Sequence, residues 1–269
     1  MFKPQERTAV LSLALILAFR MLGLFIIIPV FSPYLQSLNN ATPVLIGLTM
    51  GIYGLTQAIF QIPLGILSDY IGRKEVITLG LLVFLLGSLI AAASQNIYLI
   101  MLGRALQGCG AISGTTIALL SDLTTEYSRT KAMAIIGVSI GAAFMLAFVL
   151  GPLLNTLLTV NKMFYLTAAL VLPIIFILWY VTPNTDKQLT VNRSAKISLS
   201  QWRTDSVYRT LFKQLRLHSF GIFSLHGILT ANFLALPIIL KSLGLAGAMQ
   251  GSIYIAVFIT AVIFMGPLL

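Results

Sequence analysis

The sequence predicts an all-α integral membrane protein, on three observations: apolar runs long enough to cross a bilayer, too little charge for an aqueous surface, and a lopsided distribution of the charge that remains. Hydrophobic residues make up 58% of the 269 and charged residues 9%, against roughly a quarter charged in a soluble domain. Residues 76–94, 97–120 and 163–182 contain one charge between them, Arg104. Each meets the requirement of about 20 apolar residues for a hydrocarbon core of ~30 Å. Lipid offers no partner to a free backbone amide, so these segments must be helices.

Spans fall at about 8–35, 43–68, 75–95, 97–121, 130–155, 162–182, 216–240 and 249–269. The side of the membrane that carries the N-terminus holds Lys3, Arg7, Arg73, Lys74, Arg129 and Lys131. The long sixth connection adds Lys187, Arg193, Lys196, Arg203, Arg209, Lys213 and Arg216, whereas the opposite side has only Lys162 and Lys241. By the positive-inside rule the N-terminus is cytoplasmic and the protein belongs in a cytoplasmic (inner) membrane. This accounts for the net charge of +10 without nucleic acid, because the basic residues are divided among loops and form no continuous groove. The first span has no small-residue cleavage site and reads as a retained helix. Cys109, the one cysteine, lies inside a span and allows no intrachain disulfide.

Three segments organise the chain. Residues 1–182 form a six-helix transmembrane bundle, and 183–215 a basic cytoplasmic linker. Val207, Tyr208, Leu211, Phe212 and Leu215 recur at helical spacing in that linker, which predicts a helix lying on the leaflet. Residues 216–269 are the first two helices of a second, incomplete bundle. The apolar run through Gly266 and Pro267 reaches Leu269 without a polar flank, so about four further spans are expected, and residues 1–269 alone are expected to insert without transporting. The third and sixth spans, almost free of polar groups, predict lipid-facing outer helices and a bundle of two three-helix groups.

Polar residues at depth single out the other spans. Arg20 lies about twelve residues into the first span, ~18 Å at 1.5 Å per residue, where a charge costs at least ~2.5 kcal/mol. It is read as facing a substrate cavity, with a tie to backbone carbonyls as the alternative. Tyr53, Gln57 and Gln61, spaced by four, form one stripe toward the same cavity; interhelical hydrogen bonding is the alternative. Arg104 and Gln107 join them from the fourth span. All seven acids, Glu6, Asp69, Glu75, Asp122, Glu126, Asp186 and Asp205, lie in cytoplasmic segments. That leaves His226, about ten residues into the seventh span, as the deep side chain whose ordinary pKa is near neutral and as a candidate proton carrier. No phosphate-binding loop or metal-ligand cluster appears, so neither enzyme activity nor a cofactor is expected.

After the second span stand Gly65, Ile66, Leu67, Ser68, Asp69, Tyr70, Ile71, Gly72, Arg73 and Lys74. Gly65 permits close helix approach, Gly72 can end a helix at positive φ, and Asp69 can pair with Arg73 at i,i+4. This segment resembles the signature loop of the major facilitator superfamily at every defining position. The resemblance implies the major facilitator fold and packing of the second helix on the fourth. That packing would bring Asp122 to Arg73 in a cytoplasmic latch that also draws on Lys74 and Arg129. Gly103, Arg104, Ala105, Leu106, Gln107, Gly108, Cys109 and Gly110 resemble the family's arginine-containing motif, which implies a part for Arg104 in proton coupling. Gly137, Gly141, Gly151 and Pro152 resemble its helix-packing motif of antiporters, with Leu154 and Asn155 standing where paired glycines continue the pattern.

Closer wording, Arg20, Met21, Leu22 and Gly23 leading to Pro29, then Gly51, Ile52, Tyr53, Gly54, Leu55, Thr56 and Gln57, resembles the YajR-like proton-coupled efflux proteins of bacteria. It implies a secondary active transporter working by alternating access, moving a small solute or drug-like compound out of the cell with protons, and monomeric when complete. Two alternatives stand: an anion uptake or exchange carrier of the same fold, and a non-transporting fragment or accessory membrane protein.

Overall fold

The structure, a computed structural model, describes residues 2–184, 206–245 and 248–265, and every regular element among these is helical. The first span is α1 (Pro4–Phe25) and α2 (Ile28–Gln36). Pro29 in the first turn of α2 cannot donate a backbone hydrogen bond, and the helix breaks just before it. The second, α3 (Pro43–Ile71), is capped by Thr42, whose hydroxyl accepts from the Leu45 N–H at 3.2 Å. One residue, Gly72, joins it to α4 (Arg73–Ala93). Its φ of 115° is strained for any residue with a Cβ, and a Cβ there would also collide with the Glu75 carboxylate.

The fourth span, read as one helix, is two: α5 (Ile97–Cys109) and α6 (Ser113–Leu123), broken at residues 110–112. The fifth is α7 (Glu126–Asn155). The sixth is α8 (Val160–Ala169) and α9 (Val171–Phe176), ending in a wide π-turn over Ile177–Val181. Beyond it lie α10 (Ser206–Ser242) and α11 (Ala248–Met265). The expected surface helix over 207–215 is not a separate element, because α10 runs without a break from Ser206 into the seventh span. The boundary drawn at 215 therefore falls inside a helix. Lys187, Arg193, Lys196 and Arg203, the side chains of Arg209 and Lys213, and the end at Gly266 and Pro267 lie outside the described residues.

Packing in the first bundle places α3 and α4 along α5, α1 along α7, and α8 on α4. Glycines set the closest of these contacts. A Cβ on Gly87 would strike the Gly103 carbonyl oxygen, and one on Gly103 would strike that of Gly87. The third span therefore presents two faces: a glycine face against α5, and Leu79, Leu82, Leu86 and Leu89 exposed on the other side. Those exposed leucines fit the expected lipid-facing helix, whose glycine face is the side that packs, and within the first bundle the second and fifth spans are left more open. Apolar composition cannot separate lipid from protein neighbours, whereas small residues mark where helices touch.

Two apolar layers fill the interior. Leu13, Leu17, Ile77, Phe84 and Leu119 belong to the layer nearer the N-terminus. Ile27, Phe31, Ile100, Phe164 and Ala147 belong to the layer on the far side. Contacts of α10 and α11 with this bundle gather at that far end. There the Gln250 amide donates to the Pro29 carbonyl at 3.2 Å, the Tyr254 ring stands edge-on to Phe148 at 5.3 Å, and Leu240 is buried. The stretch of α10 from Phe220 to Ile228, by contrast, stands clear, with Phe220, Ile222, Phe223, Leu225 and Ile228 all exposed.

Candidate functional site

Arg104 is the centre of a buried polar chain at mid-depth. Only 3% exposed, it donates to the Gln107 side-chain oxygen at 2.8 Å, and the Gln107 amide donates to the Ser88 hydroxyl at 2.8 Å. Ser88 in turn donates to the Phe84 carbonyl. The guanidinium lies 4.8 Å from the centre of the Tyr53 ring and 5.6 Å from that of Phe31, a cation held between two aromatic faces. Close helices make the arrangement possible: Thr56 donates to the Ala105 carbonyl at 2.9 Å, and a side chain on Gly108 would collide with Thr56 and the Tyr53 carbonyl. Arg104 Nε and the Tyr53 hydroxyl, both buried, have no hydrogen-bond partner among the described residues.

Arg20 is held differently. At 2% exposure its two terminal nitrogens donate to the Gly110 carbonyl and the Ser113 hydroxyl, each at 2.9 Å, and its head lies 5.7 Å from the Phe84 ring centre. Gly110 and Ser113 flank the break in the fourth span, so Arg20 satisfies backbone that the interruption freed. It packs inside the bundle, and Ser113, which it bonds, precedes Gly114, whose neighbour across the helix pair is Gln61 of the α3 stripe. Along that stripe Tyr53 is buried while Gln57 and Gln61 are half-buried. The expected cavity set is thus divided between a closed interior, holding Arg20, Arg104 and Gln107, and a partly open face of α3.

A charged cluster joins the N-terminal-side ends of α3, α4 and α6. Arg73 pairs with Asp69 at 2.6 Å and with Asp122 at 3.2 Å, and it also donates to the Ser68 hydroxyl. Lys74 points elsewhere, donating to the Thr182 carbonyl at 2.6 Å and the Asn184 side chain at 2.8 Å, which ties α4 to the end of the sixth span. Arg129 donates to the Ser121 carbonyl at 3.2 Å. Nothing lies within 4 Å of where a Cβ on Gly65 would sit, so the close approach expected there does not occur among the described residues. The helix-packing set also splits. Gly151, beside buried Pro152, packs on the Ile26 carbonyl at the α1–α2 break, whereas Gly137 and Gly141 face open space. His226 is exposed on the free half of α10, its Nδ1 2.9 Å from the Ile222 carbonyl of its own helix, and is not brought to Arg104.

Sequence reasoning missed Ser88, Phe31 and Ser113, and the helix break that begins at Gly110. A serine or phenylalanine in an apolar run carries no signal of its own, and Gly110 to Ser113 read as more of one span. Asn161 was missed as well. It accepts from the Tyr34 hydroxyl at 2.9 Å and donates to the Ala92 and Ser94 carbonyls, knotting the first, third and sixth spans at the far end.

Comparison with known proteins gives this geometry its family. The profile of the Major Facilitator Superfamily matches residues 13–269. The chain is 45% identical over 258 residues to the inner membrane transport protein YajR of Escherichia coli strain K12, covering 96% of this chain and 56% of that protein. It is 28% identical over 207 residues to the class B tetracycline resistance protein of Escherichia coli, covering 72% of this chain and 48% of that one. The chain therefore spans about half the length of these curated relatives. Among solved structures it is similar to the human organic anion transporter MFSD10, with a TM-score of 0.58 at 22% identity, over 67% of this chain and 48% of that one. A multi-pass helical membrane chain matched over nearly its whole length by this profile, and closely similar to a transport protein, belongs to the major facilitator superfamily, a family of transporters and not of enzymes.

Proposed function

We propose that the protein is a secondary active transporter of the cytoplasmic membrane, with a cytoplasmic N-terminus, that exports a small solute or drug-like compound in exchange for protons by alternating access. The observation that carries this reading is the one-sided contact between bundles: α10 and α11 meet the first bundle at its far end, while the stretch of α10 from Phe220 to Ile228 is exposed. A carrier whose helices rock around a midplane site needs such a one-sided opening. The unpartnered Tyr53 hydroxyl, on a ring 4.8 Å from the Arg104 guanidinium, supports a solute or proton-linked contact there, since buried polar groups are ordinarily paired. Similarity to a tetracycline resistance protein supports export.

In this reading Gln57, Gln61 and Tyr53 line the solute path, Arg104 couples it to protons, and His226 is the candidate carrier. The Asp69, Arg73 and Asp122 cluster steadies the cytoplasmic side. Inside-out vesicles from cells expressing the gene, given an acid-inside pH gradient, should accumulate a lipophilic cation, and His226→Ala should flatten the dependence near neutrality. Accumulation indifferent to the gradient would sink proton exchange, and an unchanged profile in the histidine variant would move the proton site elsewhere. Asp69→Asn or Arg73→Ala should raise labelling of single cysteines at the cytoplasmic mouth after Cys109 is replaced; equal labelling would reduce the cluster to a topology signal.

A second reading, uptake or exchange of an anion, is favoured by two deep arginines with no acid beside them. Saturable, gradient-independent uptake of a radiolabelled organic anion would select it.

A further inference from the structure

Two cations at the N-terminal ends of the first and fifth spans share a cleft that the transport reading leaves unused. It has a volume of about 380 Å³ and is lined by Phe2, Arg7, Tyr127, Ser128 and Lys131. Its walls are set by Glu6, whose buried carboxylate accepts from the Thr125 N–H at 2.8 Å, the Ser128 hydroxyl at 2.9 Å and the Lys3 N–H at 2.9 Å. These bonds fasten the first turn of α1 to the first turn of α7, and they use both oxygens of Glu6 on groups other than Arg7 and Lys131. Among the described residues, neither of those cations forms an ion pair or a side-chain hydrogen bond. Glu126, the other acid of this region, is exposed and does not line the cleft.

Two positive charges therefore border a preformed concavity whose nearest carboxylate, Glu6, sits behind Ser128 with both oxygens already bonded to other groups. Its position adds the second argument. Both α1 and α7 begin here, so the cleft lies where the spans leave the hydrocarbon, the level of lipid phosphates and of interfacial aromatic rings. Tyr127, 84% exposed, and Phe2 offer apolar surface beside the cations, which a free inorganic anion could not use. Screening at physiological salt also makes two exposed cations a poor trap for a free anion, whereas a lipid is confined to the same surface at high effective concentration.

We propose that this cleft binds the phosphate group of an anionic phospholipid, with Arg7 and Lys131 on the phosphate oxygens and Phe2 and Tyr127 against the glycerol and first acyl carbons. The inference holds for either orientation of the N-terminus, so it stands or falls apart from the transport direction.

Purified protein in neutral detergent would be titrated with phosphatidylglycerol, with phosphatidylcholine and with inorganic phosphate, reading the thermal unfolding midpoint and the lipid retained in native mass spectrometry. Phosphatidylglycerol is expected to raise the midpoint and remain as a single-lipid adduct, and the other two to do neither. Arg7→Gln and Lys131→Gln should each weaken binding about fivefold and the pair roughly 30-fold, the effect of one basic residue per step at a charged membrane surface. Lys162→Gln, an exposed cation at the opposite end, should change nothing. Should the double variant fail to fold, Tyr127→Ala supplies the test, with weaker phosphatidylglycerol retention expected. Undiminished binding in these variants, an equal response to phosphatidylcholine, an equal loss in Lys162→Gln, or the same stabilisation by inorganic phosphate would overturn the proposal.

Discussion

Arg20 and Arg104 are both buried inside the bundle, yet their terminal nitrogens are used differently. Both terminal nitrogens of Arg20 end on protein acceptors at the break in the fourth span. Arg104 has one oxygen partner and two aromatic faces, and Nε is unpartnered in both arginines. Depth marks both as costly, since the charge must be compensated in either case. The terminal nitrogens separate them: those of Arg20 end on the break in the fourth span and act as a tie, whereas those of Arg104 meet one side-chain oxygen between two rings, a set that a solute could rearrange.

Four variants test that contrast. Arg104→Ala should have the largest effect on transport: a charge-assisted contact of ~3 kcal/mol corresponds to roughly a hundredfold in rate. Its unfolding midpoint should fall less than that of Arg20→Ala, and a normal initial rate in vesicles would break the comparison. Arg20→Ala should instead destabilise by about 3 kcal/mol, from two charged hydrogen bonds and a stranded carbonyl, with partial recovery in Arg20→Lys; an unshifted midpoint would show the tie to be idle. Gly103→Ala, which forces a methyl onto the Gly87 carbonyl, should cost ~1–3 kcal/mol of stability by overpacking. Because it also displaces the helix bearing Arg104, it should lower transport with stability, unlike Arg104→Ala. Ser88→Ala is the smallest change. Loosening Gln107 should cost about 1 kcal/mol and shift the apparent KM no more than about fivefold; a larger shift would make the serine part of the solute site.

Six spans of the first bundle were legible because length and apolarity are what a bilayer demands, and the loop from Gly65 to Lys74 carried the family. The pairing of Arg73 with Asp69 followed from a spacing of four, and that with Asp122 from the expected packing of the second helix on the fourth. Other features had no sequence correlate. The break at 110–112 is hidden because Gly110, Ala111 and Ile112 are as apolar as a continuous helix, and only the arginine 90 residues earlier that bonds to it gives it away. Ser88 carries no mark of its own, since its importance comes from Gln107 across the helix pair. The polar composition of 206–215 suggested a surface element, but composition cannot say whether a helix stops at the membrane or runs on into it, as α10 does.

The contact between α4 and the sixth span also makes the protein its own spectroscopic reporter. The indole N–H of Trp179 donates to the Thr78 hydroxyl at 2.9 Å, with the Lys74 ammonium 5.9 Å from its ring centre. The chain has one other tryptophan, Trp202, outside the described residues. Replacing Trp202 with phenylalanine leaves a single emitter whose hydrogen bond and overlying charge both disappear if α4 and the π-turn separate. Emission wavelength then follows that one docking event, with no label attached, while far-ultraviolet dichroism follows the helices themselves. The order in which the two signals are lost on heating would tell whether the bundle comes apart before its helices do.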